Sequence, residues 1–257
     1  MRVLAMGDFH CGHLVGLTPP DWQVNKPSKR SVGEVQKMLW AEFTGMMKGL
    51  RKPDLLILNG DLIDGRGEKS AGTELITTSL EEQCMISEDV IKYVNPKKIK
   101  MTFGTPYHCG RKEDEENRIM RGVGADSIEG HAFIDVRGTL FDVKHKVGSS
   151  GIPHGRANAI MKEKLWSDQW ALHDGAPVAD IVLRSHVHYH TYAGNPDFLA
   201  MTLPSLQGPG SKYGIRECSG LIHFGLVEFN FDTKGRYTWH AHTVKVTDRK
   251  KKIQYVR

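Results

Sequence analysis

The sequence lacks several features that would place it in a specialised class. It has no apolar run of the roughly 18–20 residues that a membrane span needs. Its four cysteines form no Cys-x-x-Cys pair, so neither a disulfide scaffold nor a thiolate zinc site is expected. Its first residues contain no long apolar stretch and no small-residue cleavage site. We therefore expect a cytoplasmic protein with reduced thiols and no membrane partner.

Most of the chain also lacks an excess of either charge. Residues 244–257 hold six basic residues and one acidic residue, a net +5 that equals the net charge of the whole chain. Such a segment can attract nucleic acid, although many chain termini are merely solvated and frayed. Apolar residues make up 39% and charged residues 25%, as in ordinary globular proteins. We predict one domain over residues 1–246, followed by a basic C-terminal tail over residues 247–257.

Strands and helices are predicted to alternate in the first half of the chain. Apolar runs at residues 2–7, 55–58 and 98–103 indicate strands. Helical spacing indicates helices over 31–50 and from Thr73 to about Val94, with Thr73 or Thr77 as the N-cap, and a short charged helix over 113–120. Beyond them we expect a hairpin (131–136 and 139–145), a helix (156–173), a strand (180–184) and a strand-rich end. This order predicts one α/β domain with a mixed sheet or two stacked sheets.

The chain has thirteen histidines, and several of them follow predicted strands together with aspartates. Because ligands gather beyond the carboxyl ends of strands in open α/β sheets, these positions are candidates for one shared site. Aspartate and histidine together suit manganese, iron, zinc or a similar divalent ion. A single Asp-x-His would be weak evidence, but four clusters in this order are much more specific. The clusters are Asp8 with His10, Asp61 with Asp64, His145, and His186 with His188.

This constellation resembles the calcineurin-like metallophosphoesterase superfamily, whose pattern runs Asp-x-His, Gly-Asp-x-x-Asp, Gly-Asn-His, a lone His, and Gly-His-x-His. The matching positions run from 8 to 188. Residues 8–13 and 104–108 are also similar to members encoded by phages and prophages, which would place the protein in a host cytoplasm. The resemblance implies a single-domain four-layer α/β/β/α sandwich of two mixed β-sheets flanked by helices.

The resemblance also implies a dinuclear metal site. Carried over by position, the first divalent ion would be held by Asp8, His10 and His188, and the second by His145 and His186. Asp61 would bridge the two ions, since neighbouring cations need negative charge between them. Manganese is the expected metal, with iron, zinc, nickel or magnesium as alternatives.

Two motif positions depart from the family pattern. Thr105 stands where the family has a metal-binding Asn, and two further residues separate it from His108. Thr105 would contact substrate, ligate a metal weakly, or leave that place to water. We assign His108 to catalysis, as a phosphate-contacting or proton-donating group, rather than to metal ligation. Ser185 replaces a usual Gly, and Asp64 is expected to be structural or to orient a ligand histidine.

Two residues outside the motifs are also candidate substrate contacts. Arg111 follows His108 closely and could meet a phosphate, although the solvated start of a charged helix is an equally good interpretation. His154 lies in a Gly- and Ser-rich loop that could line the cleft, and loops of this kind often carry function.

The function expected from these residues is hydrolysis of a phosphodiester, in a nucleotide or a nucleic acid, by a metal-activated hydroxide. The alternatives are a phosphomonoesterase acting on proteins or nucleotides, and a non-catalytic nucleic-acid-binding protein with a decayed metal site. Thr105 in place of Asn supports the last alternative, whereas the six intact ligand positions oppose it. The sequence determines neither the natural substrate nor the oligomeric state.

Overall fold

The structure is a computed structural model and describes residues 1–109, 114–211 and 221–246. The strands in these residues are β1 (Arg2–Met6), β2 (Leu55–Asn59), β3 (Ile99–Thr102), β4 (Ser127–Glu129), β5 (Ala132–Val136), β6 (Thr139–Val143), β7 (Ile181–Arg184), β8 (Thr191–Asn195), β9 (Phe198–Thr202), β10 (Phe224–Phe231) and β11 (Tyr237–Val244). The α-helices are α1 (Arg30–Lys48), α2 (Leu80–Val94), α3 (Pro106–Cys109), α4 (Asp114–Val123) and α5 (Arg156–Leu172). The predicted tail, residues 247–257, lies outside the described residues.

The strands form two mixed sheets. The first has the order β11-β10-β1-β2-β3-β4, with β1 to β4 parallel and β10 antiparallel to both β1 and β11. The second has the order β5-β6-β7-β9-β8, in which β6, β7 and β9 are parallel and the two edge strands are antiparallel to their neighbours. Among the described residues, none of the helices combines the length and the apolar character of a membrane span.

The two sheets stack face to face, with helices on both outer faces. Side chains alternate along β1, so that Leu4 and Met6 pack with α1 and α2, while Val3 and Ala5 pack against the second sheet. On the other side of the second sheet, Ile160 of α5 packs on β7 and β9. The predicted four-layer α/β/β/α arrangement of two mixed sheets is therefore confirmed.

Most predicted elements are present within a few residues of their expected ends, but the second helix begins later than predicted. Its N-cap is Ser79, whose Oγ accepts a hydrogen bond from the N–H of Glu82, so the prediction of Thr73 or Thr77 as N-cap is wrong. The segment before Ser79 is not helical because its backbone pairs with the loop after β1: the N–H of Leu14 donates to the carbonyl of Glu74, and the N–H of Ile76 donates to the carbonyl of Gly12, both at 2.8 Å. Helical spacing of apolar residues does not reveal this pairing.

The loops that follow β1, β2, β6 and β7 meet at one edge of the sandwich. The N–H of His10 donates to the carbonyl of Asp61 at 3.1 Å, and the N–H of Ser185 donates to the carbonyl of His145 at 2.8 Å. The two sheets are joined there by the N–H of His186, which donates to Asp8 Oδ2 at 3.1 Å. The fold therefore brings the aspartates and histidines of the motifs to one place.

Candidate metal centre

Six side chains from the strand ends, here called the strand-end cluster, form the candidate metal centre: Asp8, His10, Asp61, His145, His186 and His188. All but His145 have left-handed backbone, with φ between 46° and 74°. This conformation is uncommon for residues other than glycine and costs on the order of 1–3 kcal/mol each, and it concentrates at functional sites. The tight turns that it makes directly after the strands bring the side chains together.

Two glycines permit the close approach of the loops around Asp61. A Cβ on Gly104 would lie 2.2 Å from Asp61 Oδ1, and a Cβ on Gly60 would lie 2.7 Å from His145 Nδ1. Gly60 also has a φ of +72°, which a side chain would disfavour. Glycine is therefore required at both positions for Asp61 and His145 to meet.

Asp8, His10 and His188 form the first group of ligand atoms. These atoms lie within 4.8 Å of one another. His10 Nε2 is 3.2 Å from His188 Nε2, and His188 Nε2 is 3.4 Å from Asp8 Oδ1. At most one of the two facing imidazole nitrogens can donate to the other, so at least one of them presents a lone pair.

Asp61, His145 and His186 form the second group, also within 4.8 Å. His145 Nδ1 donates to the carbonyl of Asn59 at 2.7 Å, which fixes the orientation of the ring. Its Nε2 then lies 3.0 Å from Asp61 Oδ2 and 3.9 Å from Asp8 Oδ1. His145 therefore connects the two groups.

The buried atoms of the cluster match the requirements of divalent cations. Within the described residues, Asp8 Oδ1 is buried without a hydrogen bond, whereas His145 Nε2 faces Asp61 Oδ2 at 3.0 Å. Unsatisfied buried polar atoms are rare because their desolvation is costly, and a bound cation would supply the partner that Asp8 Oδ1 lacks. Carboxylate oxygens and imidazole nitrogens without thiolates suit manganese, iron or zinc. The residues present therefore fit metal binding.

The charges of the cluster influence one another strongly. Burial by itself would raise the pKa of Asp61, but His145 and His108 outweigh burial and hold that pKa well below its ordinary value. Burial would lower the pKa of His145, yet Asp61 and Asp8 raise it to about 10. Burial lowers the pKa of His10, and the neighbouring His108 lowers it further. A divalent ion bound by His145 would displace the proton that Asp61 and Asp8 favour on its ring.

His108 and Asp64 form a third group with His10 beside the first one. His108 lies on α3, and its Nδ1 donates to the backbone carbonyl of Asp64 at 2.7 Å. The ring of His108 stands edge-on to that of His10, with 4.5 Å between centroids. Asp64 Oδ1 lies 3.1 Å from His10 Nδ1, the position from which it can orient a ligand histidine as expected.

Thr105 contacts the carboxylate of Asp61. Its N–H and its hydroxyl donate to Asp61 Oδ1 at 2.7 and 3.1 Å. The hydroxyl thus orients a residue of the strand-end cluster, which is a role that the sequence did not suggest. Its predicted contact with substrate stays a prediction.

The other two predicted substrate contacts are not brought to the cluster. His154 is exposed in the turn Pro153–Gly155, and within the described residues no hydrogen bond or ion pair joins it to the cluster. Arg111 lies outside the residues that the structure describes.

Asn59 is a structural residue of the site that the sequence analysis missed. It ends β2, and its side-chain amide donates to Ser185 Oγ at 2.9 Å while its Oδ1 accepts from Thr102 Oγ1 at 2.6 Å. These bonds link β3 to the loop after β7 and give Ser185 a partner at the position where a Gly was expected. The available signal was an amide side chain at the end of a wholly apolar strand, directly before Gly60 and Asp61.

Glu116 is the second missed residue. It is fully buried on α4, and its two carboxylate oxygens accept from the N–H groups of Leu62 at 3.2 Å and Gly104 at 2.7 Å. Burial, together with the charge of Asp61, raises the pKa of Glu116 to about 7. No sequence signal separated it from the other acidic residues of a charged helix.

Comparisons with known proteins give distant likenesses. No family model and no curated protein matches the chain. Solved structures with a similar arrangement include a Vps29 single mutant from Entamoeba histolytica, at a TM-score of 0.45 and 12% identity, covering 95% of this chain and 100% of that one. A novel archaeal phosphodiesterase has a TM-score of 0.44 and 16% identity, with coverages of 94% and 100%. Yfce, a phosphoesterase from E. coli, has a TM-score of 0.42 and 12% identity, with coverages of 94% and 99%. Likenesses at this level establish neither a family nor an activity for this chain.

Proposed function

We propose that the protein is a metal-dependent phosphoesterase that hydrolyses phosphodiesters of nucleotides or nucleic acids. The observation that carries this proposal is the division of the strand-end cluster into two adjoining groups of ligand atoms, each within 4.8 Å, in which Asp8 Oδ1 is buried without a hydrogen bond among the described residues. Asp8 Oδ1 of the first group lies 3.9 Å from His145 Nε2 of the second. This arrangement supports two cation positions that share the carboxylates between them.

We propose the same division of metal ligands that the sequence resemblance implied. Asp8, His10 and His188 would hold one ion, His145 and His186 the other, and Asp61 would bridge them. Two bound divalent ions would polarise the phosphoryl oxygens and lower the pKa of water, so that hydroxide is available at neutral pH. Manganese is proposed first, with iron, zinc, nickel and magnesium as alternatives to compare.

His108 is proposed to give a proton to the leaving oxygen of the substrate. Because its Nδ1 is engaged by the carbonyl of Asp64, the protonated ring would donate from Nε2. The ring lies against His10 and its side chain is 18% exposed, so a bound substrate could reach it. Such a group contributes roughly 10²–10⁴-fold to a rate.

The test is hydrolysis of bis-p-nitrophenyl phosphate and p-nitrophenyl phosphate by chelator-stripped protein with each metal added back. We expect metal-dependent hydrolysis, faster on the diester. His240→Asn, which changes an exposed histidine of β11 outside the cluster, is the matched control and should keep wild-type rates. Faster hydrolysis of the monoester would favour a phosphatase.

Hydrolysis of neither substrate with any metal would refute the enzymatic proposal. If such a protein still bound oligonucleotides, the non-catalytic nucleic-acid-binding alternative would replace it. The basic residues after position 244 are the support for a nucleic-acid partner, and none of the compared structures bears on that partner or on a phage origin.

A further inference from the structure

Tyr107 makes an unusual contact beside the catalytic candidate His108. It belongs to the two residues that separate Thr105 from His108. Its ring stands edge-on to that of His108, with 4.8 Å between centroids, and the residue is 36% exposed. Its hydroxyl accepts the backbone N–H of Lys69 at 3.0 Å. The tyrosine therefore joins α3 to the segment of residues 65–73, which we call the 65–73 loop.

The 65–73 loop is also attached at its start. The N–H of Gly65 donates to Gln83 Oε1 at 2.8 Å, and Gln83 Nε2 donates to the Gly65 carbonyl at 2.9 Å. Gln83 is fully buried on α2. The loop is therefore attached to α2 at Gly65 and to α3 at Lys69.

These contacts place the ammonium group of Lys69 near His108. Its Nζ lies 5.0 Å from the centroid of the Tyr107 ring, which is itself 4.8 Å from that of His108, so the ammonium is at most about 10 Å from the His108 ring. The residue is exposed, and within the described residues no carboxylate forms an ion pair with it. A cation–π contact keeps an ammonium in place without neutralising its charge.

We infer that Lys69, held by Tyr107, binds a second phosphate of the substrate and so selects phosphodiesters that carry another phosphate next to the scissile one. This inference rests on the proposed function and narrows it to oligonucleotide-like substrates. A diester whose one phosphate is held at the metal ions has no second phosphate for Lys69 to bind. Tyr107 acts as a positioning residue, because it touches Lys69 rather than the reacting atoms.

The experiment compares two thymidine dinucleotides that differ by one group: TpT, with only the internal diester, and pTpT, with an added 5′-phosphate. For wild-type protein loaded with manganese, we expect a lower KM for pTpT. Lys69→Met should raise the KM for pTpT about 3- to 5-fold, as for a partly exposed ion pair, and leave kcat and the KM for TpT unchanged. Lys92→Met, at an exposed lysine of α2, is the control and should change neither.

Tyr107→Phe tests the positioning role separately. It keeps the ring and removes the hydroxyl that accepts the Lys69 N–H, so the KM for pTpT should rise by less than in Lys69→Met. The double variant should be no worse than Lys69→Met, because both changes act on one interaction. Additive effects would show that Tyr107 does not act through Lys69.

The inference is overturned if Lys69→Met leaves the KM for pTpT unchanged or raises both KM values equally. If wild-type protein hydrolyses neither the dinucleotides nor bis-p-nitrophenyl phosphate, the proposed function fails, and calorimetric binding of TpT and pTpT decides the inference independently. Tighter binding of pTpT that is lost in Lys69→Met would support it. Equal binding of the two compounds would refute it.

Discussion

At the scale of single residues, the carboxylate of Asp61 receives contacts from both sides of the site. Thr105 donates to its Oδ1, and His145 Nε2 faces its Oδ2 at 3.0 Å. Replacing Asp61 by Asn removes the negative charge and directs an amide N–H₂ at one of these neighbours. We expect Asp61→Asn to lose most activity and to bind both metal ions more weakly. Elemental analysis of the purified protein measures the metal content.

A variant at Thr105 serves as the comparison for Asp61. Thr105→Val removes the hydroxyl donor but keeps the backbone N–H bond to Asp61 Oδ1, so both metals should be retained. Two fully occupied ions and normal turnover in Asp61→Asn would rule out the bridging assignment.

His108→Asn should retain both metals and lose turnover, because His108 is proposed to act on the leaving group. The loss should approach 10²–10⁴-fold for alkyl leaving groups and be smallest for nitrophenolate, which needs little protonation. The measurement is kcat across a series of diesters with different leaving groups. Loss of a metal would make His108 a ligand instead. An equal loss for every leaving group would mean that it only holds the phosphate.

Glu116 is predicted to stabilise the loops around Asp61 through its two hydrogen bonds to backbone N–H groups. In Glu116→Gln one of the two oxygen acceptors is replaced by a donor, so the N–H of Leu62 or of Gly104 loses its partner in a buried place. The expected cost is about 1–3 kcal/mol in the free energy of unfolding, measured in urea. Glu115→Gln on the same helix is the control and should have little effect. If both variants have the same free energy of unfolding, Glu116 does not stabilise these loops.

At the scale of elements, α5 is attached to the second sheet by an ionic network centred on the buried residues Arg184 and Asp142. Arg184 at the end of β7 donates to Asp142 Oδ1 at 2.7 Å and to Glu163 Oε2 of α5 at 2.8 Å, and His131 contacts Asp142 at 2.8 Å. Arg184 and Asp142 are 2% and 1% exposed, so solvent screens their attraction little. The network lies immediately before Ser185 and the histidines of the site.

Stability should depend on pH through Asp142. Burial would raise its pKa, but the hydrogen bond with His131 and the charge of Arg184 hold it below the ordinary value. A depressed folded-state pKa means that the stabilisation is complete above the unfolded pKa of about 3.9 and is lost as the pH falls below it. Asp142→Asn should cost about 3–5 kcal/mol at pH 7 because it leaves Arg184 partly unpaired.

The measurement for Asp142 is Tm between pH 7 and pH 3 for wild type and variant. The difference between them should shrink as the pH falls below 4. Glu34→Gln, which breaks a pair with Lys37 in which both side chains are 61% exposed, is the surface control and should change Tm little. A difference in Tm that stays constant over the whole range would contradict the assignment.

At the scale of the whole molecule, the strand-end cluster joins the two sheets. Asp8, His10 and Asp61 follow strands of the first sheet, whereas His145, His186 and His188 follow strands of the second. Metal bound by both sets would stabilise the folded state by about 2.7 kcal/mol at a hundredfold excess over Kd. Calorimetry should therefore show a higher Tm with manganese and a lower one with chelator. An unchanged Tm with metal demonstrably bound would contradict this coupling of the sheets.

The basic tail can be tested by removing residues 249–257. Turnover of a small chromogenic diester should stay unchanged. If the partner is a polynucleotide, its binding should weaken and depend less on salt, because fewer counterions are released. Binding assays at several salt concentrations measure this. If the slope of binding affinity against salt concentration is unchanged, the tail takes no part in binding the polynucleotide.

The sequence by itself determined the class of fold and the residue types of the site. Apolar periodicity is local, so it predicts where strands and helices lie, and the alternation of elements then predicts α/β layers. Aspartates and histidines directly after strands also follow from local order, because parallel strands present their carboxyl ends at one edge. These inferences need no knowledge of distant contacts.

Only the tertiary structure decided which polar groups support the site. Asn59 bonds to Ser185, 126 positions away, and Glu116 accepts from Leu62, 54 positions away. Thr105 contacts Asp61 because β2 and β3 are neighbours in the sheet, and Lys69 contacts Tyr107, 38 positions away, from a short 3-10 turn, Glu68–Ser70, that lies before α2. Hydrogen bonds of this kind depend on distance and direction between segments far apart in the chain, and a pattern of residue types contains neither quantity.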